Sequence, residues 1–415
     1  MDKKFYRQNR ARLLRALPEE RAMVVLSSGY EITRSADECY DFQVNNNFFY
    51  LAGITQPMVH LILWKNGDQT GERLFIDAFD ETYAKWIGHR LTKPEASALS
   101  GVAQKNIVYR DRFEEDLAAL CEEYPAVYLD LEKRDTVNFC SFGLSLRDTL
   151  AAKGTAAQDV YPLVTRLRAA KQAAEVELLR TAVANTKAGI EELMRQARPG
   201  MYEYELEAYF DHSIKRAGQK AHSFRTIAAG GIHATTLHYS ANNDTLKDGE
   251  LVLFDLGCRE QGYCADITRT FPVNGRFSAL QRAIYEVVLA ANKKVARVAK
   301  AGMTMAQLQE ICVAELTKGC LRLGLIEEPE EIKQYYFHGV SHSIGLDTHD
   351  PYSRSEPLPV GAVISDEPGL YFPQYGIGIR IEDDLLILKS KAVNLSADII
   401  KEPDDIEAFM AAHKA

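Results

Sequence analysis

Short apolar runs alternate with helical stretches along the first part of the chain. Four runs rich in Val, Ile, Leu, Phe and Tyr predict strands, at Ala22–Leu26, Val59–Trp64, Leu74–Ile76 and Val127–Leu129. Segments with helical periodicity lie between them, such as Glu114–Glu123. This alternation predicts an α/β domain whose sheet is mostly enclosed.

A longer helical pattern begins near residue 169 and extends to about residue 196. Its apolar residues recur at helical spacing, at Val176, Leu179, Ala182, Ile190 and Leu193. We place the domain boundary near its start, which gives an N-terminal domain over residues 1–170 and a second domain over residues 171–415.

The second domain contains an internal repeat. The segment Gly200–Leu206 matches the segment Gly302–Leu308, since each begins with Gly-Met and has Leu five residues after the Met. In each half a predicted helix precedes this segment, a second helix starts within it, and strand-like segments follow. The predicted segments are Ala173–Arg198, Glu203–Ala217 and His222–Thr270, then Leu280–Ala299, Ala306–Leu323 and Phe337–Leu388. Two helix–helix–sheet halves indicate a duplication, and a cleft between their sheets is a natural place for a site.

Composition narrows the classes of function. The 415 residues suit two domains, and no apolar run approaches the ~20 residues of a membrane helix. The net charge of −9 does not suggest a nucleic-acid or anionic-membrane partner. The seven cysteines, an odd number without a C-x-x-C pair, predict reduced thiols in a cytoplasmic protein. The basic N-terminus lacks the apolar segment of a secretory signal, and we expect an amphipathic helix there.

Two aspartates stand out in the first half of the repeat. Asp255 lies within the apolar run Leu251–Gly257, and Asp266 follows eleven residues later. A hairpin at Gly257–Gly262 would bring the two carboxylates side by side. Buried neighbouring carboxylates repel each other unless a proton or a cation lies between them. This pair alone is equally compatible with two exposed acids in a turn.

Histidines and further acids cluster in the second half. His338, His342 and His349 are three of the ten histidines and fall within twelve residues, which favours a metal or acid–base site over isolated structural histidines. Asp366 and Glu367 then stand between an apolar strand and a Pro-Gly turn.

The last acidic segment alternates apolar and charged residues. Strand periodicity predicts that Arg380, Glu382 and Asp384 share one face. The alternation of side chains alone therefore does not distinguish Glu382 from Asp384 as the functional acid. Each of these segments is weak evidence by itself. Together they supply four carboxylates and one imidazole, an oxygen-rich set that suits two hard divalent ions such as manganese. We interpret Cys258 and Cys264 as packing residues.

Specific motifs occur in both domains. The N-terminal domain carries Thr33-Arg-Ser-Ala-Asp37 and the segment Asn46–Gly53 (NNFFYLAG). The second domain carries GYCADITRTFPVNG, HGVSHSIGLDTHD, EPGLYF and GIGIRIEDD in this order. With these motifs the chain resembles the pita-bread metallopeptidases and, within them, the aminopeptidase P family, over nearly its whole length. The resemblance implies a two-domain α/β protein with a C-terminal pita-bread catalytic domain.

The resemblance implies a ligand set for two divalent ions, with manganese expected and cobalt or zinc as alternatives. The implied ligands are Asp255, Asp266, His342, Glu367 and Glu382. Asp266 and Glu382 would bridge the ions, and a hydroxide held between them would attack the bond before a proline in the second position. The implied activity is therefore that of a metallo-aminopeptidase acting on Xaa-Pro peptides.

The resemblance also implies roles for residues around the metals. Glu367 would transfer protons as well as bind metal. His238 and His349 would contact the substrate, His338 would line the proline pocket, and Tyr371 would bind substrate. Arg380 and Asp37 would orient the ligands. Trp86 would reach the active site of a neighbouring subunit, so we expect a homodimer or homotetramer; packing of Trp86 within its own chain is the alternative.

Two positions depart from the family pattern, and several alternatives stay open. Phe224 replaces a Tyr whose hydroxyl would bond the first Asp ligand, and Asp366 adds a charge beside Glu367 that strand alternation should turn away from the metals. A prolidase, which takes only dipeptides, is the main alternative, and Arg354 is the residue that could bind a dipeptide carboxylate. A non-catalytic pita-bread binding module and a metal-free creatinase-like hydrolase are disfavoured because all five ligands are present. A methionine aminopeptidase would lack the N-terminal domain.

Overall fold

The computed structural model describes residues 1–132, 142–219 and 221–413. The chain divides into two compact units, Met1–Arg168 and Ala169–Ala415. Among the described residues, no helix combines the length and the apolar character that crossing a bilayer requires.

The first unit is built around a six-stranded sheet. Its helices are α1 Lys3–Ala16, α2 Asn46–Ala52, α3 Glu81–Ile87, α4 Lys93–Ser100, α5 Phe113–Glu123, α6 Phe142–Ala152 and α7 Tyr161–Ala169. Its strands are β1 Arg21–Ser27, β2 Thr33–Ser35, β3 Glu38–Cys39, β4 His60–Asn66, β5 Gln69–Ile76, β6 Ile107–Tyr109, β7 Ala126–Leu129 and β8 Ala157–Asp159. The sheet has the order β6-β5-β4-β1-β7-β8.

The four predicted apolar runs occupy the middle of this sheet, as β5, β4, β1 and β7. Strand β1 pairs antiparallel with β4 and parallel with β7, and only its first residue is exposed. A central strand buried on both faces reads as a continuous apolar run, which explains why the sequence signal was clear here. The prediction of an α/β unit with a mostly enclosed sheet is confirmed.

The second unit combines helices with several short antiparallel sheets. Its helices are α8 Ala173–Gln196, α9 Glu203–Arg216, α10 Ala279–Val298, α11 Met305–Leu323, α12 Ile332–Tyr335 and α13 Pro403–Ala412. Its strands are β9 Ile227–Gly230, β10 Leu251–Leu256, β11 Arg259–Glu260, β12 Tyr263–Cys264, β13 Ile267–Pro272, β14 Val363–Asp366, β15 Gly369–Phe372, β16 Ile377–Arg380, β17 Asp383–Ile387 and β18 Ala392–Asn394.

The two predicted halves are visible in this unit. Helices α8 and α9 precede a sheet of order β13-β10-β9, and helices α10 and α11 precede a sheet of order β14-β17-β18. The helices and the inner faces of these sheets share one hydrophobic core. The order of elements agrees with the helix–helix–sheet repeat that the sequence predicted.

Two sequence-based expectations are wrong in detail. The helical pattern from residue 169 is not continuous, because α7 ends at Ala169 and α8 begins at Ala173. Lys171 N–H donates to Gly361 O (2.8 Å) between them, and the side chain of Glu175 closes a capping box with Gln172 at the start of α8. A capping box marks a helix start, so it separates the two helices here.

The second correction concerns the acidic segment at residues 380–384. Arg380 ends β16 and Asp383 begins β17, so they do not belong to one strand and strand parity does not apply across them. Ile381 N–H donates to Pro368 O (3.2 Å) and Glu382 N–H donates to Thr268 O (3.1 Å) at the break. Arg380 and Glu382 both line the cleft described below, whereas Asp384 does not.

Candidate active site

A cleft of about 550 Å³ opens in the second unit. Nine of the residues singled out in the sequence line it: His238, Asp255, Asp266, His338, His342, His349, Glu367, Arg380 and Glu382. Phe224 and Arg354 also line it. The structure thus brings together residues that are up to 158 positions apart in the chain, from Phe224 to Glu382.

Antiparallel pairing brings the two aspartates together. Strand β10 pairs with β13 so that Asp255 lies opposite Thr268, and Asp266 directly precedes β13. The turn between them is tight, since a Cβ atom at Gly257 would lie 1.9 Å from Ala265 O. Carboxylate oxygens of Asp255, Asp266 and Glu382 all lie within 4.8 Å of one another.

His342 lies close to two of these acids and to a further acid, Glu367. Its Nε2 lies 3.3 Å from Asp266 Oδ2, 3.5 Å from Glu367 Oε1 and 4.0 Å from Glu382 Oε1. Its Nδ1 lies 3.2 Å from Ser343 O, and a carbonyl oxygen only accepts, so Nδ1 carries the proton. Its Nε2 faces the carboxylates, where it can donate a hydrogen bond to them or, when deprotonated, bind a cation that they share.

The pKa values of the acidic side chains also favour a cation in the cleft. Burial, followed by repulsion from neighbouring carboxylates such as Asp255, raises the pKa of Asp266 well above its ordinary value. Burial, followed by repulsion from Asp266, likewise raises the pKa of Glu382 well above its ordinary value. Burial is also the main cause that raises the pKa of Glu367. A buried carboxylate with such a shift becomes stable in its ionised form when a cation lies beside it.

The two carboxylate oxygens of Asp255 differ in their hydrogen bonding. Arg380 Nη2 donates to its Oδ2 (2.6 Å), while its buried Oδ1 has no hydrogen-bond partner among the described residues. Unsatisfied buried oxygens are costly in a folded protein, and an ion is one of the groups that relieve them. The donor set of four carboxylates and one imidazole therefore fits two divalent ions.

A hydrogen-bonded chain forms one wall of the cleft. Arg380 Nη1 donates to Tyr371 Oη (3.0 Å), and Tyr371 Oη lies 2.9 Å from His338 Nε2. His338 Nδ1 lies 2.8 Å from Gly339 O, so it carries the proton and Tyr371 donates to Nε2. Burial lowers the pKa of His338 to about 4, so this ring is neutral near pH 7.

The other two predicted histidines, His349 and His238, are exposed residues that line the cleft. The ring of His349 lies 4.1 Å from that of His342. Desolvation by the surrounding cleft, followed by the charge of His342, lowers the pKa of His349 to about 4. A neutral His349 can donate one N–H to a substrate oxygen. His238 is exposed and lines the cleft.

The remaining predicted residues lie elsewhere. Trp86 in α3 is 83% exposed, and Asp37 is exposed; both belong to the first unit. Asp366 is fully buried, where Asn292 Nδ2 donates to its Oδ2 (3.3 Å) from α10. Phe224 offers no hydroxyl to Asp255, as its sequence indicated.

Two contributors were missed by the sequence reasoning. Thr268 donates to Glu382 Oε2 (2.7 Å) and accepts from Arg380 Nε (3.1 Å), so it joins two candidate site residues. Its alternation with Asp266 along the strand was the available signal. A buried ion pair between Lys171 Nζ and Asp350 Oδ2 (3.1 Å), next to His349, had no sequence signal because its partners are 179 residues apart.

Comparison with known proteins places this arrangement in a family. Residues 177–389 match the model for metallopeptidase family M24, and residues 6–128 match the N-terminal domain of aminopeptidase P. The chain therefore belongs to metallopeptidase family M24. It is 34% identical to the Xaa-Pro aminopeptidase of Escherichia coli, over 98% of this chain and 97% of that protein.

Further relatives narrow the assignment within the family. Human Xaa-Pro aminopeptidase 3 is 32% identical, over 92% of this chain and 80% of its own length. The solved structure of E. coli aminopeptidase P with the inhibitor Pro-Leu superposes with a TM-score of 0.90 at 32% identity, covering 100% of this chain and 99% of that chain. The chain is thus a member of the aminopeptidase P group of metallo-aminopeptidases. The fold class and the family resemblance predicted from the motifs are confirmed.

Proposed function

We propose that this chain removes the N-terminal residue from peptides with proline in the second position, in a reaction that depends on two divalent ions. The observation that carries the proposal is the convergence of five ligand-type side chains in one cleft, with carboxylate pKa values raised by burial and mutual repulsion. The curated relatives named Xaa-Pro aminopeptidase support the same activity.

We propose Asp255, Asp266, His342, Glu367 and Glu382 as the residues that hold the ions. Asp266, Glu382 and His342 each belong to two of the three close ligand groups in the cleft. Of these three, only the carboxylates have two ligand oxygens, which supports a bridging position for Asp266 and Glu382. When bound, such ions lower the pKa of a water molecule and polarise a carbonyl group. Manganese is the ion that we propose, because oxygen ligands predominate.

The chain's own side chains then position the peptide and move protons. Glu367 accepts a hydrogen bond from Ser365 Oγ (3.2 Å) and has a raised pKa, so it can hold a proton and release it to the leaving nitrogen. Neutral His349 donates to the developing oxyanion. Arg380 holds Asp255 and Tyr371 in place, and the Tyr371–His338 wall forms the proline pocket.

We propose that the cleft accepts peptides longer than dipeptides. A dipeptide-only enzyme must bind the carboxylate next to the cleaved bond, usually with arginine. The stretch between Glu367 and Glu382 is a short hairpin of β15 and β16, and its one arginine, Arg380, already donates to Asp255 and Tyr371. Arg354, which lines the cleft, is the observation that favours a prolidase instead.

The test is a direct comparison of substrates with the manganese-loaded protein. We expect kcat/KM for an Xaa-Pro-Yaa tripeptide to exceed clearly that for the matching Xaa-Pro dipeptide. The opposite order, together with a higher KM for dipeptides after Arg354→Ala, would make this chain a prolidase. No turnover of either substrate would favour a non-catalytic binding module.

We also propose that residues 1–170 form a domain that takes part in assembly as a homodimer or homotetramer, and that residues 171–415 form the catalytic domain. Support comes from Trp86, which is 83% exposed, and from Phe79 and Ile87, which are 46% and 43% exposed near it in sequence. Exposed apolar side chains of this size mark interaction surfaces. A monomer by light scattering, at concentrations where the enzyme is fully active, would contradict shared assembly.

A cytoplasmic location is the remaining part of the proposal. The six cysteines within the described ranges are free thiols, and one of them, Cys39, is exposed. Free thiols suit a reducing compartment. Cell fractionation followed by immunodetection tests this location.

A further inference from the structure

His238 lies on the long connection from β9 to β10, and this connection is tied to one buried carboxylate. Glu203, the first residue of α9, is fully buried. Its Oε1 accepts from Gly230 N–H (2.8 Å) and lies 3.2 Å from His233 Nδ1. Its Oε2 accepts from Tyr239 Oη (2.8 Å) and from Asp244 N–H (3.0 Å).

These contacts secure the connection at both ends and beside His238. Gly230 ends β9, Asp244 lies fourteen residues later, and Tyr239 directly follows His238. The ring of Tyr239 also stacks on that of His233, with 4.4 Å between centroids and 18° between planes. One carboxylate therefore limits the movement of the backbone that carries His238 into the mouth of the cleft.

Glu203 is not needed to cap its own helix. Tyr202 N–H at the start of α9 donates to Glu205 Oε2 (2.8 Å), and Glu205 is exposed. Burying a carboxylate is costly unless it is well hydrogen-bonded. At Glu203 the compensating donors all come from residues 230–244, so the buried charge stabilises that connection.

We propose that Glu203 is a positioning residue for His238, which it holds in place through Tyr239 and the flanking backbone. The proposal rests on the proposed function and on the substrate contact that the family resemblance implies for His238, which lines the cleft. Small displacements of a positioning group are costly for catalysis even when the fold is intact.

Glu203→Gln is a sharp test because of the geometry at the two oxygens. Each carboxylate oxygen accepts from one backbone N–H, at Gly230 and at Asp244. An amide has only one acceptor oxygen, so in either orientation its NH₂ group faces a backbone N–H. We expect kcat/KM for an Xaa-Pro-Yaa tripeptide to fall about tenfold or more, the loss expected for a charge-assisted hydrogen bond. Glu205→Gln, two residues later in the same helix, is the matched control and should change kcat/KM less than about twofold.

A double-mutant cycle with His238→Ala separates positioning from general stability. In the His238→Ala background, Glu203→Gln should lower kcat/KM by less than about twofold, because the group that it positions is gone. Its effect on the melting temperature should be the same in both backgrounds. An equal loss of kcat/KM in both backgrounds would overturn the proposal. If Glu203→Gln does not fold, Tyr239→Phe removes only one of the four contacts and should show the same dependence on His238.

Hydrogen exchange gives a readout that does not depend on turnover. Amides within residues 230–244 should exchange faster in Glu203→Gln than in Glu205→Gln or the unmodified protein, because one of the two backbone N–H groups that the carboxylate holds, at Gly230 or at Asp244, loses its acceptor. Unchanged exchange in this segment would overturn the proposal. A wild-type protein that fails to hydrolyse Xaa-Pro-Yaa would refute the proposed function, while the exchange measurement would still decide whether Glu203 holds this connection.

Discussion

Glu382 and Asp383 are neighbours in sequence and are both buried, but their surroundings are opposite. Glu382 faces the cleft among Asp266, Glu367 and Asp255, and burial followed by repulsion from these acids raises its pKa. Burial alone would raise the pKa of Asp383 too, but the nearby cations Arg269 and Lys401 hold it below its ordinary range.

The partners of Asp383 come entirely from the protein. Arg269 Nη2 donates to its Oδ1 (2.7 Å), Asn394 Nδ2 to its Oδ2 (2.9 Å) and Ser396 Oγ to its Oδ1 (2.8 Å), while Lys401 Nζ completes the group. Acids that the chain itself neutralises are structural, whereas acids that it leaves crowded require a cation from outside. The difference between these adjacent residues therefore separates a structural cluster from a candidate metal centre.

The largest effect should follow from removing a carboxylate on the cleft side. We expect Glu382→Ala or Asp266→Ala to lower kcat by at least ~10³-fold, because each belongs to two ligand groups and the hydrolysis depends on the ions they hold. Steady-state kinetics with manganese and metal analysis of the purified variants check this. Substantial turnover by either variant would contradict the two-metal assignment.

The next effect concerns the structural side of the comparison. Asp383→Asn should lower the free energy of unfolding by about 3–5 kcal/mol, because it leaves the buried Arg269 and the partly buried Lys401 beside a neutral group. The loss should be the same with and without manganese. Urea unfolding measures it, with Asp398→Asn, an exposed acid on the same C-terminal segment, as the control. A loss that depends on metal would mean that the two clusters are not separate.

The metal should change the stability of the cleft-side acids and leave the Asp383 cluster unaffected. Manganese at a hundredfold excess over its Kd should stabilise the wild-type protein by about 3 kcal/mol. Removing metal with a chelator should abolish hydrolysis and this added stability together. In the metal-free protein, Glu382→Gln should be at least as stable as the wild type, because one of the repelling charges is gone. Thermal unfolding with and without chelator checks both statements; a clear loss of stability in metal-free Glu382→Gln would contradict the repulsion.

The smallest expected effect concerns the burial of His60 in the first unit and its consequence for stability at low pH. Burial, followed by the nearby charge of Arg110, lowers the pKa of His60 from 6.5 to about 4, and Asp77 opposes this. Between these pH values the unfolded chain binds more protons than the folded one, so stability falls as pH falls through this window. We expect a loss of about 2 kcal/mol that His60→Gln removes.

The control for this prediction is His89→Gln, because His89 is exposed and lies 2.9 Å from Glu95. Unfolding free energies at pH 7 and pH 4.5 are compared for the three proteins. If His60→Gln loses as much stability on acidification as the wild type, then burial of His60 does not contribute to acid sensitivity.

Local patterns in the sequence were sufficient for much of this protein. The predicted helix Glu114–Glu123 differs from α5 by one residue, and the predicted strands lie within β1, β4, β5 and β7 apart from Val59, which directly precedes β4. Such segments depend on periodicity over neighbouring residues, which the sequence displays directly. The motifs around Asp266, His342, Glu367 and Glu382 also identified the family without any structure.

Only the tertiary structure decided which buried carboxylates have cationic partners from the chain itself. Glu382 and Asp383 look alike in sequence, and their difference depends on Arg269, 114 residues away from Asp383, and on Lys401. The strand break at residues 381–382 depends on hydrogen bonds to Pro368 and Thr268. The prediction from strand alternation was therefore wrong across this break. The four contacts of Glu203 come from residues 27 to 41 positions away. Pairings across such distances leave no periodic signal, because they are created only when the chain packs.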